Sequence, residues 1–151
     1  HLAHRRQRQM CIRDRMDTLQ AAVILGKLPH FDAEIAARQR LGARYSEALG
    51  DLAKVPTIAS GNTHVYGQYT LQVQDREALR RALAEEDIPT AVHYPRPLHL
   101  QQAFEDLGGQ VGDYPVSERA SAQVVSLPMS PFLSEPDQDR VIAAVRKALG
   151  A

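Results

Sequence analysis

The residues best suited to chemistry are His93 and Tyr94, in the stretch Thr90-Ala91-Val92-His93-Tyr94-Pro95-Arg96-Pro97-Leu98-His99. The imidazole can donate and accept a hydrogen bond, and the phenol adds a hydroxyl and a ring face. Proline fixes φ and lacks an N–H, so Pro95 and Pro97 cannot continue a central ladder. The residue before each proline is also driven to extended geometry. The sequence therefore predicts a short strand ending at Val92 or His93, followed by a stiff loop. Such a loop presents side chains at a strand end and costs little entropy to order around a ligand. The competing reading is a surface loop whose histidine has no role.

Other chemistries find less support in the residues. The six histidines (His1, His4, His30, His64, His93 and His99) lack paired metal-ligand spacing such as H-E-x-x-H. Cys11 lies in an atypical basic segment, which argues against a Cys/His nucleophile. Ser126 has no G-x-S-x-G elbow around it. Gly108, Gly109 and Gly112 precede no helix start with phosphate-cradle spacing, so they read as a plain loop.

The elements that must position the loop follow from periodicity. Asp17 to Leu28 is apolar nearly all round and opens on a capping Asp17, which predicts a helix buried on several sides. It is either a central core helix or a surface made for a missing domain or second subunit. A second helix is expected from about Asp32 to Leu49, with Ala37, Leu41 and Tyr45 on one face. Val55 to Ile58 reads as a short extended piece. His64 to Val73 alternates, placing Val65, Gly67, Tyr69, Leu71 and Val73 on one face of a half-exposed strand. Asp75 should cap a helix to about Glu86 with Ala78, Leu79, Ala82 and Leu83 inward. A helical turn near Gln101 to Asp106, a helix Val116 to Gln123 and a strand Val124 to Leu127 follow. Ser134 should cap a last helix whose stripe is Val141, Ile142, Val145, Ala148 and Leu149, ended by Gly150. Helices gathered on one face of a small, mostly antiparallel sheet make the fold α+β.

A chain of 151 residues suits one domain that buries ~70% of its unfolded surface. Its formal charge is zero, but residues 1–15 hold five arginines against Asp14. The rest keeps 13 basic and 17 acidic residues, net −4, which leaves no electrostatic footprint for nucleic acid. The single cysteine excludes an internal disulfide and fits a reducing, cytoplasmic compartment. No apolar run approaches a membrane span, and no signal-peptide pattern follows the basic start. Residues 1–15 read as either non-native sequence or a disordered basic segment. Gln9 to Arg15 looks like translated adapter sequence.

Four stretches, in order, carry a resemblance. They are Arg15-Met16-Asp17-Thr18-Leu19-Gln20-Ala21-Ala22, Val65-Tyr66-Gly67-Gln68-Tyr69-Thr70, Val92-His93-Tyr94-Pro95 with Pro97-Leu98-His99, and Val125-Ser126-Leu127-Pro128-Met129. Together they resemble the C-terminal part of DegT/StrS-type sugar aminotransferases, pyridoxal-phosphate enzymes acting on nucleotide-linked keto sugars. The nearest likeness is to members that aminate a UDP-linked 3-keto hexuronic acid for surface polysaccharides. The resemblance implies the C-terminal small domain of the aspartate-aminotransferase-like fold over 53–151, preceded by linking helices over 16–52. It places His93 and Tyr94 near the sugar nucleotide, whose hydroxyls and phosphates they suit. It places Arg15 at the cofactor site of the partner subunit in a homodimer, though the family's Asn two residues earlier is here Arg13. It implies pyridoxal 5'-phosphate and an amino-acid donor in the complete enzyme. Lys27, Lys54 and Lys147 lack the family's Schiff-base context, so the chain alone is expected to hold no cofactor and be inactive. The alternatives without catalysis are a stand-alone α+β ligand-binding domain or a ferredoxin-like regulatory module.

Overall fold

The computed structural model describes residues 16–150. The chain divides into two compact units, the first ending at Ile35 and the second running from Ala36.

In the first unit, α1 (Thr18–Lys27) starts where Asp17 Oδ1 accepts the Gln20 amide at 2.9 Å, the cap expected from the sequence. A 3₁₀ turn (Leu28–His30) with Pro29 follows, and α2 (Phe31–Leu49) begins directly after it. The expected burial of α1 is not found. No residue of α1 is buried, and Leu19, Val23 and Leu25 are exposed. Apolar periodicity says that a surface can be buried, but not by what.

The second unit holds the core. Its sheet has two antiparallel strands, β1 (Tyr69–Gln72) and β2 (Val124–Leu127), with Tyr69 opposite Leu127 and Gln72 opposite Val124. Lys54 bridges the free side of β1 and Ala91 the free side of β2, both antiparallel. The expected strand Thr90–His93 is therefore a single bridge, in which Ser126 N donates to Ala91 O at 2.8 Å. Pro89 on one side and Pro95 and Pro97 on the other have no N–H to extend it.

The expected strand His64–Val73 also shortens, to Tyr69–Gln72. Tyr66 takes a left-handed φ of 44°, which turns its ring into the core while Val65 points outward. The simple alternation thus fails at Tyr66. Arg38 Nη1 donates to Tyr66 O at 3.1 Å and holds that turn. Tyr45, Tyr66 and Tyr69 then stack in tilted pairs, with centroids 4.9 and 5.6 Å apart.

Three further helices complete the unit. They are α3 (Arg76–Glu85), α4 (Pro115–Gln123) and α5 (Glu135–Leu149), with 3₁₀ turns at Leu98–Leu100 and Gln102–Leu107. Asp75 and Ser134 cap α3 and α5 through the amides of Ala78 and Asp137, and Gly150 ends α5 at φ 87°. These were legible because a cap is local chemistry. Helix α3 packs on α5 and β2. Leu79 and Leu83 are buried, whereas Ala78 faces solvent, a correction to the expected inward set. Val141, Ala144 and Val145 supply the α5 side, with Ile142, Ala148 and Leu149 partly buried against the cluster.

One buried polar side chain matters for stability. Gln138 is fully buried, donates to Leu41 O at 2.8 Å and accepts from Arg44 Nη1 at 3.1 Å. A buried amide satisfied at both ends avoids the cost of an unpaired polar group.

Tyr45 is fully buried and its hydroxyl donates to Pro128 O at 3.0 Å. Burial, then the neighbouring Tyr69, pushes its phenol well above the usual range; Tyr69 is raised too, chiefly by burial. The folded state therefore holds protons that the unfolded chain releases at about pH 10. That stabilisation is complete below the unfolded value and is lost as pH rises above it. Tyr45→Phe should cost about 1 kcal/mol at neutral pH for the lost hydrogen bond. It should also flatten the fall in urea stability above about pH 10. An equally steep alkaline fall in the variant would refute the assignment to Tyr45.

Candidate functional site

His93 and Tyr94 follow the Ala91 bridge at the edge of the sheet, and both are exposed, Tyr94 by 71%. Their rings meet nearly at right angles with centroids 5.8 Å apart, and the peptide between them is cis. They stand in an open cleft of about 250 Å³. Arg96, Pro97 and Leu98 form one wall, and Ser117, Ala120 and Ser121 of α4 form the other, with Val124 of β2 alongside. Pro97 is the buried anchor of the loop, while the residues from His93 to Arg96 face out. The cleft thus offers an imidazole, a phenol, a guanidinium and serine hydroxyls around a small apolar floor. That set can bind hydroxyls and anionic oxygens.

A second cleft of about 480 Å³ adjoins the first, and Leu98 and Ser117 line both. Its walls include His99, Phe104, Gly109 and Tyr114. The His99 and Tyr114 rings meet edge to face at 4.8 Å. Glu118 of α4 stands behind this wall, 3.2 Å from His99 Nε2, and accepts the amides of Gly112 at 2.9 Å and Tyr114 at 3.3 Å. The Gly112 amide, more than the other neighbours, holds the Glu118 carboxyl below the usual carboxylate range. Nothing in the local pattern marks Glu118, and the glycines at 108, 109 and 112 read from sequence as a plain loop. The pair is 19 residues apart, and no local pattern ties them.

Of the residues singled out from the sequence, the neighbours His93 and Tyr94 line one cleft. Arg15 lies outside the described residues. Tyr66 and Tyr69, from the second matching stretch, are core residues.

The chain matches the DegT/DnrJ/EryC1/StrS aminotransferase family over residues 3–146, and it belongs to that family. It is similar to the UDP-2-acetamido-2-deoxy-3-oxo-D-glucuronate aminotransferase of Pseudomonas aeruginosa, with 41% identity over 135 residues, 89% of this chain and 37% of that protein. It is also similar to the dTDP-3-amino-3,6-dideoxy-alpha-D-galactopyranose transaminase of Aneurinibacillus thermoaerophilus, at 36% identity over 90% of this chain and 37% of that protein. Among solved structures, a DegT DnrJ EryC1 StrS aminotransferase from Brucella abortus superposes with a TM-score of 0.85 at 43% identity, covering 91% of this chain and 37% of that one. S. venezuelae DesV superposes at 0.87 with 35% identity over 91% of this chain and 38% of that one. The fold is therefore that of the sugar aminotransferases, α+β as the sequence predicted, and the chain spans little more than a third of its relatives' length.

The family implies pyridoxal phosphate, and the described lysines do not suit it. A Schiff-base lysine needs a depressed pKa. Lys147 Nζ instead bonds Glu86 Oε1 at 2.8 Å, and that hydrogen bond raises its pKa. Lys27 and Lys54 are exposed.

Proposed function

We propose that this chain forms the C-terminal part of a pyridoxal-phosphate aminotransferase that transfers an amino group from an amino acid to a nucleotide-linked keto sugar. Within it, 16–52 act as linking helices and 53–151 as the small domain. The substrate class follows the relatives, and a UDP-linked 3-keto hexuronic acid is the favoured member. The complete enzyme acts in the cytoplasm as a homodimer, and Arg15 reaches toward the cofactor of the partner subunit. The chain by itself is inactive, since none of its described lysines suits the cofactor. The observation that carries the reading is the pair His93 and Tyr94, exposed side by side beside Arg96 in one cleft.

The test is kinetic. In the complete enzyme, His93→Ala and Tyr94→Phe should each weaken the half-reaction with the sugar nucleotide by about tenfold, roughly 1.4 kcal/mol. The half-reaction with the amino donor should change much less. Both residues are exposed, so stability should move by under about 1 kcal/mol. Loss of folding in His93→Ala, with substrate affinity intact in the surviving fraction, would make His93 a structural residue and end this reading.

A further inference from the structure

The wall shared by the two clefts is held without a hydrophobic core. No residue from Leu98 to Gln123 is buried, although the segment includes two 3₁₀ turns and all of α4. A stretch of that kind opens locally at low cost unless polar contacts fasten it. The C-terminal end of α4 is tied by Arg76 to Ser121 O and by the Val73 amide to Gln123 O, whereas the contacts that fasten His99 and the 108–114 segment converge on one carboxylate. Both oxygens of Glu118 accept the Gly112 amide, at 2.9 and 3.1 Å, and one also accepts the Tyr114 amide and faces His99 Nε2. Its side chain is 21% exposed and that of His99 13%, so the contact between them is part-buried while the amide bonds lie at the surface.

The backbone is shaped to reach that carboxylate. Gly112 has a φ of 100°, which an L side chain rarely adopts. A Cβ on Gly109 would lie 2.8 Å from His99 O, so the glycine segment rests directly on the His99 backbone. Glu118 therefore joins three elements: α4 on which it sits, the 108–114 segment, and the turn after Pro97. Two of them carry the walls of the His93–Tyr94 cleft, through Leu98 and Ser117.

We propose that Glu118 is a positioning residue for the sugar-nucleotide site: it straps His99 and the 108–114 segment to α4 and so fixes the wall common to both clefts. This rests on the reading that the His93–Tyr94 cleft takes the nucleotide sugar. Without the strap the wall is mobile in the free enzyme and must be ordered by the ligand, and that ordering is subtracted from affinity. The chemical step does not involve Glu118, so the loss falls on KM for one substrate.

The experiment uses the complete enzyme carrying this sequence, with a UDP-linked 3-keto hexuronic acid and L-glutamate as probes. Glu118→Gln keeps the size but removes the anion and one acceptor. KM for the sugar nucleotide should rise about tenfold, while kcat stays within about twofold and KM for L-glutamate is unchanged. The urea midpoint should hold, because no core residue is lost. An unchanged sugar KM, or equal changes for both substrates, overturns the proposal. Should Glu118→Gln fail to fold, His99→Gln and His99→Ala decide. His99→Gln keeps an N–H for the carboxylate and should lie nearer the wild type in sugar KM; equal values overturn the proposal. A wild-type enzyme that does not aminate nucleotide-linked keto sugars refutes the functional reading instead. The strap is then judged by amide exchange, and equal rates at Gly112 and Tyr114 in wild type and Glu118→Gln overturn it.

Discussion

Leu83→Ala is expected to destabilise the second unit by about 2–5 kcal/mol, the range for emptying a well-packed leucine site. Leu83 is fully buried in the cluster that α3 forms with β2 and α5. Its carbonyl also accepts the Ile88 amide at 2.9 Å, which brings the chain round after α3. The side chain thus packs at the point where helix, turn and sheet meet. Loss of its methyl groups leaves a cavity that the fixed backbone cannot collapse into. Urea unfolding of the two proteins measures the difference, and a cost below about 1 kcal/mol would mean that the site relaxes freely.

Gly42→Ala should cost about 1–3 kcal/mol, although it adds only one methyl to a helix and Ala is the better helix former. Gly42 is buried in α2, against the ring of Tyr66. A Cβ there would lie 2.7 Å from Tyr66 Cζ and nearer still to Cδ2 and Cε2. The ring cannot swing away easily, since Tyr69 stacks on it and Arg38 holds its backbone oxygen. Tyr66→Ala removes the obstacle, so the Gly42→Ala cost should largely vanish in that background. Strict additivity of the two changes in a double-mutant cycle would refute the clash.

These two residues mark where the sequence was and was not readable. Leu83 was assigned inward because a 3.6-residue period runs through α3, and periodicity needs only neighbours in sequence. The caps Asp75, Ser134 and Gly150 were legible for the same reason. Tyr66 was misassigned because one residue at positive φ reverses the side on which every earlier residue points. The strand expected at Thr90–His93 shrank to one bridge because pairing depends on a partner edge as well as on β propensity. The candidate site was half legible. His93 and Tyr94 stood out by type and by the prolines beside them. Glu118 did not, since its partner His99 lies 19 residues away and its nearer partners, the Gly112 and Tyr114 amides, are backbone groups that no residue type marks. The same holds for Arg44 and Gln138, 94 residues apart. The outward-facing residues of α1 carry the opposite lesson, an apolar stripe whose cover cannot be read from its own period.

The two short strands also bear on how the molecule comes together. Thr70 and Ser126 share a side-chain hydrogen bond at 2.9 Å across 56 positions of chain. Closing a loop of that size costs about 3.6 kcal/mol in chain entropy before any rung of the ladder forms. Four rungs cannot repay it alone, so the sheet has no independent existence as a hairpin would. It must condense together with α3, α5 and the tyrosines that cover it, so the sheet and its cover form as one unit.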